Sequence, residues 1–250
     1  MMVKGKLPIL TYHSIDHSDS ILSVTPEKFL SHMTVLANSG YQIVSLHEVV
    51  SYLKIPRFFP EKTAALTFDD GFQNFYEEAF PVLKNFGFPA TVFLVAGWCG
   101  RKNSWPGQHK TIPSFDLLDW KDIKEMAGQG IEFGSHTMNH PNLSQISSEE
   151  AEQEIAQSQK TIQEAIGQEV KFFAYPYGLH TPEVKTIVKK RFAGACSVKM
   201  DYVTSESDLY ALPRIDMFYF SQNSFFEYLN SPAFPLYVKC RKWLRGLKGQ

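Results

Sequence analysis

Apolar and polar positions fall into two alternating periods along this chain. Strand-like runs rich in apolar or β-branched residues occupy residues 7–12, 41–46, Thr63–Phe68, 89–95, 131–134, 170–175, 194–198 and 212–217; Thr63–Phe68 is apolar or β-branched throughout, which suits a strand of a parallel sheet covered on both faces. Between them lie stretches of helical spacing with start and stop signals. Thr25 precedes Pro26, with Phe29, Met33 and Leu36 on one face and Gly40 behind them, the marks of a capped helix. Helices are predicted likewise at 47–53, at 75–86 with a break near Pro81, at 120–126 behind the cap Asp119, at 147–165 closed by Gly167, at 182–190 and at 221–229; residues 56–61 read as a loop. Seven or eight strands interleaved with helices close, by right-handed crossovers, into a parallel barrel. No Pro/Gly/Ser-rich linker, repeat or low-complexity segment divides the 250 residues, so one barrel domain over 1–235 followed by a tail at 236–250 is expected.

Candidate chemistry sits where these strands end. The run Thr63–Phe68 stops in Asp69-Asp70-Gly71. Gly71 allows the backbone to leave at positive φ, and adjacent carboxylates repel unless a cation or solvent intervenes. A plain turn with Asp70 capping the next helix is the alternative. A second run leads into Ser135-His136-Thr137-Met138-Asn139-His140, and histidines four apart share one face if this is a helical turn. Asp70, His136 and His140 then form a two-histidine, one-carboxylate set with open positions, as a catalytic Zn2+ requires. His13, Asp69, Asp70, His136, Tyr177 and Arg214 all fall at the C-terminal ends of predicted strands, the face on which barrel enzymes place their chemistry.

The blocks Thr67-Phe68-Asp69-Asp70-Gly71, His136-Thr137-x-x-His140 and Tyr175-Pro176-Tyr177-Gly178, in that order, resemble the polysaccharide deacetylase family, whose shared unit is the NodB homology domain. The resemblance runs from about residue 63 to residue 217. It implies a distorted (β/α)7 barrel, a divalent metal on Asp70, His136 and His140, Asp69 as general base, and the backbone N–H of Tyr177 as oxyanion donor. It also implies an N-acetylglucosamine-type glycan as substrate. The strand ending in Tyr12-His13 ahead of the acidic block is similar to the rearranged domain of poly-N-acetylglucosamine deacetylases, in which strand order is permuted.

Two departures stand out. Family members commonly carry an acid histidine in a Leu-x-His motif near the carboxyl end, but here no histidine follows His180. His13 is therefore the candidate proton donor, with His180 the lesser one. Ala174 occupies the position of the arginine that orients the base in many members, and Arg214 is its candidate replacement; an ion pair with Asp216 or another acid is the competing reading. These departures keep open a glycan-binding module without turnover, beside other amidohydrolases such as a deformylase or a cyclic-amide hydrolase. A two-histidine, one-carboxylate iron oxygenase is more distant, because its ligands usually sit on a β-sandwich.

Composition narrows the setting. Cys99, Cys196 and Cys240 lack disulfide or zinc-finger spacing and read as free thiols of a reducing compartment. No secretory or transmembrane run is visible, and a cytoplasmic protein is expected. Residues 237–250 hold Lys239, Arg241, Lys242, Arg245 and Lys248 without an acid, so the net charge of −1 leaves −6 for the rest, a body unsuited to nucleic-acid binding. Leu236, Cys240, Trp243, Leu244 and Leu247 form one helical stripe. The tail is thus a candidate basic amphipathic helix for peripheral membrane contact, or a last helix packing that stripe on the barrel. Trp98 and Trp105, in a long loop at 97–115, either stack on sugar or seal the loop. His17, His32, His47 and His109 read as surface residues.

Overall fold

The apolar runs form eight parallel strands: β1 (Ile9–Tyr12), β2 (Gln42–Val44), β3 (Thr63–Phe68), β4 (Ala90–Leu94), β5 (Ile131–Ser135), β6 (Phe172–Ala174), β7 (Gly194–Met200) and β8 (Leu212–Asp216). They belong to a computed structural model that describes residues 2–3, 5–54, 59–221 and 225–247. Seven of them close a ring in the order β1-β8-β7-β6-β5-β4-β3, sealed by β1 pairing with β3. The eighth, β2, also pairs with β3. Ala65 faces Ile9 on one side and Val44 on the other, whereas Thr67 faces Thr11 and Thr91. β2 and β4 therefore share one edge of β3, and the ring has seven members. The first strand lies between β3 and the last strand, which gives the permuted order.

Side chains alternate across each strand with period two. Ile9, Ala65, Phe93, Phe172, Ala174, Cys196 and Leu212 fill one buried cluster, while Leu10, Leu66, Phe68, Val92, Leu94 and Phe173 pack in another together with helix residues such as Phe29, Ile123, Ile155 and Val188. The first is the barrel interior and the second the layer between strands and helices. By the same alternation residues 65, 67 and 69 share the inner side of β3, and residues 212 and 214 that of β8. This parity aims Asp69 and Arg214 at each other.

Helices start where the sequence signals place them. Thr25 caps Pro26–Asn38, accepting from the Lys28 N–H, and Asp119 caps Trp120–Ala127. Ser147 opens Ser148–Ile166 with a reciprocal capping box to Glu150, which satisfies two donors that the helix cannot. Leu46–Lys54 and Pro182–Arg191 are also helical.

Some expectations are corrected. The helix at 75–86 begins as a π-helical turn, Phe75–Ala79, before Phe80–Phe86 continues as α-helix; the break precedes Pro81, which stands at the start of the α segment. Within 56–61, Phe59–Pro60 pairs antiparallel with Met2–Val3; residues 55–58 lie outside the described residues. In place of one helix at 221–229 there are Phe218–Ser221 and a 3-10 turn, Phe225–Tyr228, and 222–224 lie outside the described residues. The last helix spans Ala233–Leu247, so the boundary read at 235/236 falls within it; of the tail, 248–250 lie outside. His32 is not a surface residue: on the inner face of its helix it is buried against Tyr12 and Phe226.

Candidate active site

β3 delivers the two carboxylates in opposite senses. Asp69 continues the strand, its N–H donating to the Tyr12 carbonyl, and so points into the barrel. Asp70 turns to φ 70° and Gly71 to φ 72°. Gly71 takes this φ without strain, and a Cβ there would press on Leu94 Cδ2 at 2.8 Å. The left-handed step swings Asp70 away from Asp69, so like charges on neighbouring residues face different partners.

Asp69 meets Arg214 end-on. Arg214 Nη1 donates to Asp69 Oδ1 at 2.7 Å and Nη2 to Oδ2 at 2.6 Å, a two-pronged match of guanidinium to carboxylate. Two further donors are used: Nε to the Ser197 carbonyl at 3.0 Å and Nη1 also to Thr67 Oγ1 at 3.3 Å. Arg214 and Asp69 are 1% and 3% exposed. Burial by itself would raise the Asp69 pKa, but the charge and hydrogen bonds of Arg214 prevail and hold it well below the usual carboxylate range. His13, at the end of β1, brings Nε2 to 3.8 Å from Asp69 Oδ2 and remains partly exposed. Asp69 thus lies between a buried cation and a histidine at the rim.

Asp70 meets the histidines. His136 Nε2 and His140 Nε2 lie 3.6 and 3.4 Å from Asp70 Oδ1, and the three ligand atoms fall within 4.8 Å of one another. The turn that presents them is not helical. Thr137 and His140 adopt φ 69° and 56°, because the turn must bring both rings to one point directly after β5. Glu154 on the helix Ser148–Ile166 stabilises it: one carboxylate oxygen accepts the N–H groups of Met138 and Asn139, both at 2.9 Å, and the other accepts Asn139 Nδ2 at 2.7 Å. No sequence signal marks Glu154, since an acidic residue on an exposed helix face is ordinary until the turn against it is known.

The donor set fits a divalent ion. His136 Nδ1 donates to the Ala174 carbonyl at 2.7 Å, which fixes the tautomer and leaves the Nε2 lone pair toward Asp70. Asp70 Oδ1 and His140 Nδ1 are buried without a hydrogen-bond partner among the described residues. Burial raises the Asp70 pKa and drives that of His140 well below the ordinary imidazole value. A buried acid and two buried imidazoles converging on an unpaired oxygen form a set that one dication would satisfy.

Aromatic residues wall this centre. Trp105 is buried with its ring 4.8 Å from that of His140, and Trp98 packs edge-on against Trp105 at 6.2 Å. Trp105 therefore closes the loop onto the histidine turn. Tyr177, in the turn Pro176–Gly178, takes φ 57° and stands edge-on to His140 at 4.6 Å; its side chain is 42% exposed. His180 lies apart from this centre, stacked on Tyr175 at 4.2 Å.

Residues 57–191 match the family described as Polysaccharide deacetylase. The chain is 32% identical over 212 residues to YxkH of Bacillus subtilis (strain 168), covering 84% of this chain and 71% of that one. It is 31% identical over 205 residues to the poly-beta-1,6-N-acetyl-D-glucosamine N-deacetylase of Staphylococcus aureus (strain MRSA252), covering 77% and 67%. Among solved structures, the Streptococcus pyogenes deacetylase PplD in complex with acetate superposes with a TM-score of 0.75 at 27% identity, over 85% of this chain and 92% of that one. IcaB from Ammonifex degensii gives 0.74 at 28% identity, over 86% and 94%.

Proposed function

This chain belongs to the polysaccharide deacetylase family, and from that premise we propose that it hydrolyses the N-acetyl group of N-acetylglucosamine-type units in a glycan. The observation that carries the proposal is the juxtaposition, at one rim of the barrel, of Asp70, His136 and His140 with the Asp69–Arg214 pair. When bound, a divalent ion, Zn2+ by the chemistry of the donors, acidifies a water and polarises the amide carbonyl.

The chain's own groups divide the remaining work. Asp69 takes a proton from the attacking water; Arg214 occupies one lone pair on each carboxylate oxygen and leaves another free on each. Arg214 also fixes the direction in which Asp69 can accept, which is worth more than raw basicity when the geometry is held. As the water oxygen bonds to the carbonyl carbon, the developing oxyanion is taken up by the N–H of Tyr177. The carbon–nitrogen bond then breaks with a proton passing from His13 to the leaving amine, which yields acetate and a free amino sugar. Arg214 supplies a base partner where Ala174 cannot, and this removes one of the two reasons for reading the chain as a binding module without turnover.

Acetate release from N-acetylglucosamine oligomers by Zn2+-loaded protein tests the proposal, with wild type against Asp69→Asn. The variant is expected to bind Zn2+ and to lose turnover by roughly a hundredfold or more. No acetate from the wild type at any metal loading, or equal turnover by the variant, would overturn it; formate release from an N-formyl sugar in its place would assign a deformylase.

A further inference from the structure

The C-terminal helix Ala233–Leu247 packs on the barrel with a face that the hydrophobic pattern does not single out. Phe234 and Val238 are buried, Tyr237 is half-buried with its hydroxyl donating to the Tyr219 carbonyl at 3.0 Å, and Arg241 lies over the rings of Tyr219 and Tyr237 at 4.9 and 5.2 Å. At about 100° per residue these four cover one side of the helix. Leu236, Cys240, Trp243 and Leu244 lie together about a third of a turn away, and all four are exposed, Leu236 to 62%, Trp243 to 66% and Leu244 to 43%. The stripe read from the sequence is therefore not the one the barrel covers. Leu247 falls on the same line, and its side chain lies outside the described residues.

Charge identifies the occupant. Lys239 and Lys242 fall on the long border between the buried side and the exposed stripe, and both are exposed; Lys242 Nζ is held by Asp201 Oδ2, and among the described residues Lys239 is the free cation of the two. The segment from Tyr237 onward carries five Lys/Arg and no acid, against −6 on the remainder. A helix with a Trp/Leu face edged by lysines is suited to lie in a bilayer interface. Its apolar residues enter the acyl boundary, the indole sits at headgroup depth, and lysine stems extend back to anionic phosphates. Self-association through the stripe alone would leave Lys239 without a counter-charge.

We infer that this helix docks the protein on an anionic lipid surface through Leu236, Trp243 and Leu244, with Lys239 as its free charged border and the Asp201-paired Lys242 beside it. The inference stands on its own geometry and holds whether or not the proposed deacetylation does. Co-sedimentation of the full chain with vesicles of phosphatidylcholine alone and with 30% phosphatidylglycerol, at low and high salt, tests it. The expected result is binding to the anionic vesicles only, weakened by salt. Trp243→Ala with Leu244→Gln should lower the partition constant at least tenfold, and Lys239→Gln about fivefold. These side chains are exposed, so circular dichroism and thermal midpoint should be unchanged. Absence of binding, equal binding to neutral vesicles, or equal binding by the Trp243/Leu244 variant would overturn it. A dimer in light scattering that the same variant dissolves would assign the stripe to a second copy instead.

Discussion

Asp69 and Arg214 form a charge pair that tolerates the loss of neither partner alone. Both are almost wholly buried and joined by two hydrogen bonds of 2.7 and 2.6 Å. Removing one member leaves the other as an uncompensated charge in the barrel interior, at a cost of about 3–5 kcal/mol. For a chain of this size that corresponds to roughly 6–20 °C in Tm. Arg214→Met should fall in this range, and so should Asp69→Asn. The double variant, with neither charge of the pair left, should retain chiefly the unpaired Ser197 carbonyl that Arg214 Nε now serves, about 1–3 kcal/mol. The singles therefore do not add, and the coupling amounts to several kcal/mol. Urea unfolding of the four proteins in metal-free buffer measures it. Because the Asp69 carboxyl is held well below its unfolded value, its contribution is complete above about pH 4 and fades as pH falls further. Additivity within about 0.5 kcal/mol would refute the reasoning and reduce the pair to a contact of convenience.

Further expectations follow from neighbouring contacts. Glu154→Ala, which removes the acceptor of three N–H bonds from the His136–His140 turn, should weaken Zn2+ binding by about 10–100-fold while leaving Asp70, His136 and His140 in place; titration with a competing chelator measures it, and unchanged affinity would show that the turn holds itself. His13→Asn should lower kcat with little change in Zn2+ affinity; an unchanged kcat would exclude His13 as donor. His32 is kept neutral by burial, which drives its pKa down to about 3. Between pH 6.5 and that value the unfolded chain binds a proton that the folded chain does not, so stability falls by about 2 kcal/mol from pH 7 to pH 5. His32→Gln should flatten this dependence in urea midpoints, and equal slopes would exclude the mechanism.

The barrel is legible because its strands are covered on both faces and read as short runs rich in apolar residues, and because caps such as Thr25, Asp119 and Ser147 mark where helices begin. What local pattern does not carry was lost. The His136–His140 spacing matches a helical turn, yet the segment is a loop with Thr137 and His140 at positive φ, and it satisfies the N–H groups of Met138 and Asn139 on Glu154 of the following helix. The exposed stripe of the last helix has the stronger hydrophobic signal, but Phe234, Tyr237 and Val238 meet the barrel because large aromatics fill the space beside Phe220. His32 was hidden for a similar reason, since a polar residue on an inner helix face is recognised only once its partner Tyr12 is found at 3.1 Å.

The distribution of backbone strain ties these observations together. Among the described residues five non-glycine residues have positive φ, and Asp70, Thr137, His140 and Tyr177 are four of them. Each such conformation costs of order 1–3 kcal/mol, and glycine at these positions would relieve it. The chain instead keeps a carboxylate, an imidazole, a phenol and a β-branched hydroxyl there, the last accepting the His140 N–H at 3.0 Å. A fold meets that cost only where surrounding contacts hold the geometry, and here Glu154, the Ala174 carbonyl and Trp105 do so from three separate elements. Strain that is braced from several sides and gathered around one unpaired oxygen is what a preformed ligand site requires, because side chains already in place lose little freedom when the ion arrives.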